Sequence, residues 1–169
     1  HNAITKSYQA LTAASNITAQ FYEIEIFSAI RSSLGSGLAP ILFVDIGAST
    51  SKIYIVERGV VRLTHLVTAG GQHMTETLAR SMQWEFEKAE RVKREHGLNN
   101  ASSYAADENA RIKEAILYTL SRIFSEVNRV LLSYGQRYNK NIAHVIFSGG
   151  GASLLLVGTT GNAQLQRCV

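Results

Sequence analysis

The sequence predicts an α/β domain with a mixed sheet, in which an antiparallel β-meander is flanked by helices. Three observations predict it. Two β-rich apolar runs, residues 41–46 and 51–56, are separated by only a few small and hydroxyl residues, which reads as a hairpin. A third run, 60–67, alternates Val61, Leu63, His65 and Val67 on one face and follows the tight turn Glu57-Arg58-Gly59. Beyond it lie long stretches with apolar residues three or four apart, and then a short buried run at 143–147.

In chain order, Ile4, Tyr8 and Leu11 predict a short helix over 3–11, and Phe21, Ile24, Phe27, Ala29, Ile30 and Leu34 predict a second over 21–34, with Glu23 and Glu25 near its positive end. Gly35-Ser36-Gly37 reads as a linker, and Pro40 introduces the first strand without costing an interior ladder bond. After the meander, Ala69-Gly70-Gly71 opens a helix whose stripe of Met74, Leu78, Met82, Phe86, Ala89 and Val92 runs to Gly97. Residues 98–107 are polar and read as an exposed, partly mobile loop. Ile112, Ile116, Leu120, Ile123, Val127, Val130 and Leu131 mark a helix over 108–134.

The chain has 169 residues, enough for one domain with a sizeable core, and 46% apolar against 18% charged residues argues against disorder. A charge of +4 suits anionic partners, but the basic residues form no dense block. Zinc-finger spacing and aromatic-basic interleaving are absent, so no nucleic-acid partner is expected. The single cysteine, Cys168, allows no disulfide framework and fits a reducing compartment. No apolar run is long enough to span a bilayer, and the start lacks a signal pattern. Beginning at His1 suggests a piece of a longer protein.

Three turns carry the chemistry. Gly47 and Ala48 permit close approach of a ligand, Ser49, Thr50 and Ser51 add hydroxyls, and Asp45 ends the strand that enters the turn. That combination suits a phosphate, with Mg²⁺ on Asp45 through water; the alternative is a plain hairpin capped by its Asp. Gly70-Gly71 stands between a strand and a helix, and Ser148-Gly149-Gly150-Gly151-Ala152 follows a strand. Ligands in open α/β sheets bind at such strand ends. Neither the Walker phosphate loop nor a Rossmann glycine pattern in the required strand-to-helix context is present. Glu90 and Lys93 lie three apart on one helix face and either bracket a ribose or base edge or form an ordinary surface ion pair.

In this order the motifs resemble those of the actin-like ATPase superfamily, and within it the PilM family of type IV pilus assembly, which is related to the FtsA cell-division family. Residues Val44 to Ser51 look like the second phosphate motif, and Phe147 to Ala152 like the adenosine motif. Ala69-Gly70-Gly71 through Thr75 resembles the Gly-Gly turn before a helix, and Ala89-Glu90-x-x-Lys93 the nucleoside-contacting motif. Residues Tyr22 to Arg31 resemble PilM in particular. The resemblance implies a ribonuclease-H-like lobe over 38–158, a helical lead-in from a preceding subdomain over 1–34 and a tail of uncertain structure over 159–169. It further implies ATP and Mg²⁺ as cofactors, held by Asp45, Gly47, Ala48, Ser49, Thr50, Ser51, Gly70, Gly71, Glu90, Lys93, Gly149, Gly150, Gly151 and Ala152. The implied role is a cytoplasmic adaptor, peripheral to the inner membrane, that engages a PilN-like membrane protein and self-associates.

The sequence departs from the family in having no second Asp-x-Gly hairpin, so it resembles the second lobe only. No residue can be named as a general base, and at most slow ATP hydrolysis by the intact protein is expected. The alternatives are an FtsA-like cytoskeletal protein, a small-molecule kinase of the same superfamily, and a degenerate scaffold without nucleotide. The histidines lack zinc-ligand spacing; His73, one turn from Gly70-Gly71, is the one placed to approach a phosphate.

Overall fold

A computed structural model describes residues 2–33, 39–156 and 166–167, and the chain divides into two compact units, His1–Gly35 and Ser36–Val169. The expected linker at 35–37 lies outside the described residues, as does most of the expected tail.

The first unit holds helix α1 (Asn2–Ala14) and helix α2 (Glu25–Ser33). The Tyr22 hydroxyl lies 3.1 Å from Thr12 Oγ1, and Arg31 grips both carboxylate oxygens of Glu23. The second helix begins four residues later than its apolar spacing predicts, because Glu23 is turned back to Arg31 and the first helical amide bond runs from Phe27 to Ile24.

The second unit is built on a sheet of β1 (Ile41–Ile46), β2 (Ser51–Glu57), β3 (Val60–Val67), β4 (His144–Ser148) and β5 (Gln166–Arg167), in the order β3-β2-β1-β4-β5. The meander β1-β2-β3 is antiparallel, whereas β4 runs parallel to β1 with Ile41 opposite His144 and Asp45 opposite Ser148. Arg58 and Gly59, both with positive φ, form the two-residue turn between β2 and β3, the hand of turn that matches strand twist. Alternation puts Leu42, Val44 and Ile46 of β1 with Ile53 and Ile55 of β2 in one fully buried cluster. Each such side chain contributes about 1.5–3 kcal/mol by leaving water.

Three helices close that face: α3 (Gly71–Met82), α4 (Phe86–His96) and α5 (Ala106–Tyr138). The apolar stripe of α5, from Ile112 to Tyr134, and Met74 and Leu78 of α3 join the same cluster. Two sequence expectations are corrected here. The single helix over 71–97 is two, because Gln83 adopts the left-handed conformation (φ 54°) and the Trp84 amide bonds back to Ala79. The loop before α5 is latched rather than loose: the buried Asn109 side chain accepts from the Ala101 amide at 2.9 Å and donates to the carbonyls of Ala101 and Tyr104. Glu108 caps the Ala105 amide, so α5 starts at Ala106 and runs for about 50 Å.

Candidate functional site

The loop joining β1 to β2 is closed by the Gly47 amide donating to Thr50 O at 3.0 Å. Its outward carbonyls do not face water. Gly47 O accepts from the Gly71 amide at 2.9 Å, and Ala48 O from the Gln72 amide at 2.8 Å, so the first turn of α3 is docked on the hairpin. A Cβ on Gly70 would lie 2.5 Å from Gly47 O and 2.6 Å from Ala48 O; glycine is required there by backbone approach. The buried Ser51 hydroxyl donates to Ala69 O at 2.7 Å and ties the start of β2 to the same segment. His73 Nδ1 accepts from the Gly70 amide at 3.3 Å, so it serves the turn.

Because the helix ends at Gln83, α4 returns across the start of α3. Lys93, buried, directs its ammonium to Gly71 O (2.9 Å), Thr75 Oγ1 (2.7 Å) and Glu90 Oε2 (2.6 Å). All three of its protons are used. Glu90, whose side chain is a third exposed, also meets the Thr75 hydroxyl. Burial pushes its carboxyl up, but hydrogen bonds from Lys93 and Thr75 and the charges of Lys93 and Arg94 outweigh this and hold it below the ordinary 4.5. This is neither a solvated surface pair nor a free cation: Lys93 fixes an ionised Glu90.

After β4 the chain enters the third glycine turn, a 3₁₀ turn over Gly150–Ala152 that leads into α6 (Ser153–Leu156). Gly149 has φ 84°, and a Cβ on it would lie 2.5 Å from Asp45 Oδ1; one on Gly151 would lie 2.3 Å from Ile46 Cγ2. A Cβ on Gly150 would meet nothing within 4 Å. Two of the three glycines therefore seat the turn against β1, and the middle one faces open space.

That space is a cleft of about 800 Å³ lined by Gly47, Ala48, Gly71, Glu90, Lys93, Gly150 and Gly151 among the expected residues. Asp45, Ser49, Thr50, Ser51, Gly70, Gly149 and Ala152 stand outside its lining. Asp45 nevertheless lies against the Gly149 turn, and its Oδ2 is 3.8 Å from Lys52 Nζ. The sequence reading missed Gln72, Phe86, Arg94, Ser153 and Leu154. Phe86 and Arg94 stand four residues either side of Glu90, and that spacing on one helix was the available signal. Among the described residues, no group of three or more metal-ligating side chains gathers, and no helix is long and apolar enough to cross a membrane.

Comparison with known proteins bears on this geometry. Among curated proteins, none matches the chain. The solved PilM–PilN type IV pilus biogenesis complex is similar over 92% of this chain and 43% of that one, at 22% identity and a TM-score of 0.69. The ethanolamine utilization protein EutJ from Carboxydothermus hydrogenoformans is 26% identical, over 70% of this chain and 39% of that one, with a TM-score of 0.54. MreB5 of Spiroplasma citri bound to ADP is 19% identical, over 86% of this chain and 54% of that one, with a TM-score of 0.61. The chain thus spans less than two thirds of these proteins, and their likeness bears out the expected α/β fold of an actin-like lobe. The family model of the cell division protein FtsA matches residues 42–168, a stretch that includes all three glycine turns, and on that match the chain belongs to the FtsA family of actin-like ATPases, to which PilM is related.

Proposed function

We propose that this chain supplies the second nucleotide-binding lobe of an actin-like protein that takes ATP with Mg²⁺ and acts as a scaffold. The observation that carries the reading is convergence: the hairpin backbone at Gly47 and Ala48, the ionised Glu90 on α4 and the open Gly150 border one cleft, of a size ordinary for small-molecule sites. Gly150 would admit a flat base or ribose to the backbone. Glu90 would accept from a ribose hydroxyl or base amine, with Lys93 positioning it, since the ammonium has no proton to spare. Asp45, a carboxylate beside the cleft that also stands 3.8 Å from Lys52, would fit a Mg²⁺ that keeps its waters and takes its remaining ligands from phosphate. The cation would screen the phosphate charge.

The finer reading is a cytoplasmic adaptor of the type IV pilus platform, peripheral to the inner membrane and engaging a PilN-like protein. It is supported by the PilM-like segment at residues 22–31, which precedes the stretch matched by the FtsA model, and by likeness to the PilM–PilN complex over 92% of the chain. A cell-division role is the second reading, favoured by the FtsA match itself.

Calorimetric titration of the complete gene product with Mg-ATP tests the site. Binding is expected, with a loss of at least about tenfold in Gly150→Val, whose Cβ would enter the open space of the cleft, with no protein atom within 4 Å. Unchanged affinity in both Gly150→Val and Asp45→Ala would remove the assignment. Co-purification with the cytoplasmic segment of a PilN-like protein separates the pilus role from the division role.

A further inference from the structure

Away from the nucleotide-sized cleft, β3 is the last strand of the sheet, and its outer edge has no strand partner among the described residues. Edge strands are commonly blunted by proline, by inward charges or by a bulge. Here the sequence from Val60 to Val67 contains no proline. The one irregularity, where β3 carries Arg62 as an extra residue opposite β2, lies toward the Arg58–Gly59 turn and leaves Leu63 to Val67 in regular register. Leu66, 56% exposed, stands on the face turned away from α5.

The α5 side of the same edge carries two arginines against one carboxylate. A second cleft of about 410 Å³ runs between residues 65–68 and α5 and is lined by His65, Arg122, Ser125, Glu126 and Arg129. Its single carboxylate, Glu126, is already engaged: His65 Nε2 lies 2.7 Å from Glu126 Oε2, and Arg129 donates to the same oxygen through both Nε at 3.0 Å and Nη2 at 2.5 Å. Arg122, one helical turn before Glu126, has no hydrogen bond or ion pair among the described residues. The cleft therefore carries one positive charge in excess, that of Arg122, next to a strand edge that no other described strand pairs.

We propose that the edge of β3 is a docking site for an acidic peptide segment of a partner protein, which adds to the sheet as a further strand and sets its carboxylates against Arg122 and Arg129. Strand addition supplies main-chain hydrogen bonds, and alternation of side chains supplies the specificity. Every second residue of the guest points to the α5 side and meets the arginines. The intervening residues lie beside Leu66 and are best apolar. A guest with acidic and β-branched residues in alternation satisfies both faces, and attraction between opposite charges commits the site to an acidic rather than a basic peptide.

The test uses the whole chain and two capped eight-residue probes, one alternating valine with glutamate and the other valine with lysine, read by fluorescence anisotropy and amide hydrogen exchange. The glutamate probe is expected to bind at least about tenfold more tightly than the lysine probe, to weaken as salt rises, and to slow exchange in residues 63–67. Arg122→Glu should cut its affinity at least about fivefold while leaving thermal unfolding unchanged, because that side chain has no partner to lose. N-methylation of alternate guest amides along the pairing edge should abolish binding. The proposal is overturned if the glutamate probe fails to bind at about 1 mM. It is equally overturned if the lysine probe binds as well, if the N-methylated probe binds as tightly, or if exchange slows elsewhere than at β3.

Discussion

Glycines that look interchangeable in the sequence have different duties once neighbours are in place. Gly151 packs against Ile46 so closely that a methyl group would overlap its side chain. Gly151→Ala should destabilise the fold by about 1–3 kcal/mol in denaturant unfolding, as overpacked cores do, in contrast to the fold-neutral change expected at Gly150. Lys93 is a comparable case among charged residues. Lys93→Met removes the donor to Gly71 O, Thr75 and Glu90 together and should cost about 1–3 kcal/mol, with the Glu90 carboxyl titrating higher by NMR, because its burial is then opposed only by Thr75 and Arg94.

At the scale of elements, the break between α3 and α4 does the most to form the cleft, since it returns Glu90 and Lys93 to the start of α3. Gln83 holds that break in a backbone region that disfavours side chains bearing a Cβ. Gln83→Gly should therefore stabilise the domain by about 1 kcal/mol in thermal unfolding without changing ligand affinity. The start of α5 depends instead on Asn109, whose buried amide accepts from the Ala101 amide and shares its two Nδ2 protons among the carbonyls of Ala101, Tyr104 and Ala105. Asn109→Ala should cost about 1–3 kcal/mol and open residues 98–105 to limited proteolysis, because the Ala101 and Tyr104 backbone groups lose their partner.

Across the whole molecule, ionised carboxylates link stability to pH. Hydrogen bonding from Lys140 holds Glu57 below its ordinary 4.5, and hydrogen bonds from Arg129 and His65 do the same for Glu126; Glu90 is held low against the effect of its burial. A folded-state value below the unfolded one means that the stability is present above the unfolded value and is lost as pH falls through the folded one. Tyr134 has the opposite sense: burial raises its phenol above 10, so its contribution fades as pH rises past that point. Thermal unfolding should show a plateau at neutral pH, a fall beginning below about pH 4.5 and a second decline above about pH 10. An acid midpoint unaltered by Glu57→Gln and Glu90→Gln together would contradict this account.

The sequence by itself determined the meander, the long helix and the three glycine turns, because strand alternation, helical spacing and turn residues are local properties that a chain expresses wherever it folds. It also carried the resemblance that the family match bears out, since the order of Asp45 to Ser51, Gly70-Gly71, Glu90-Lys93 and Gly149 to Ala152 survives in one dimension. Only the tertiary structure decided which of those residues face a common space. The helix break at Gln83 has neither glycine nor proline to announce it, and the saturation of Lys93 depends on a carbonyl 22 residues away in the chain. The parallel pairing of β4 with β1 likewise brings Gly149 beside Asp45 from more than a hundred residues downstream. Contacts of that range depend on how the whole sheet and its helices pack, and no window of local sequence contains them.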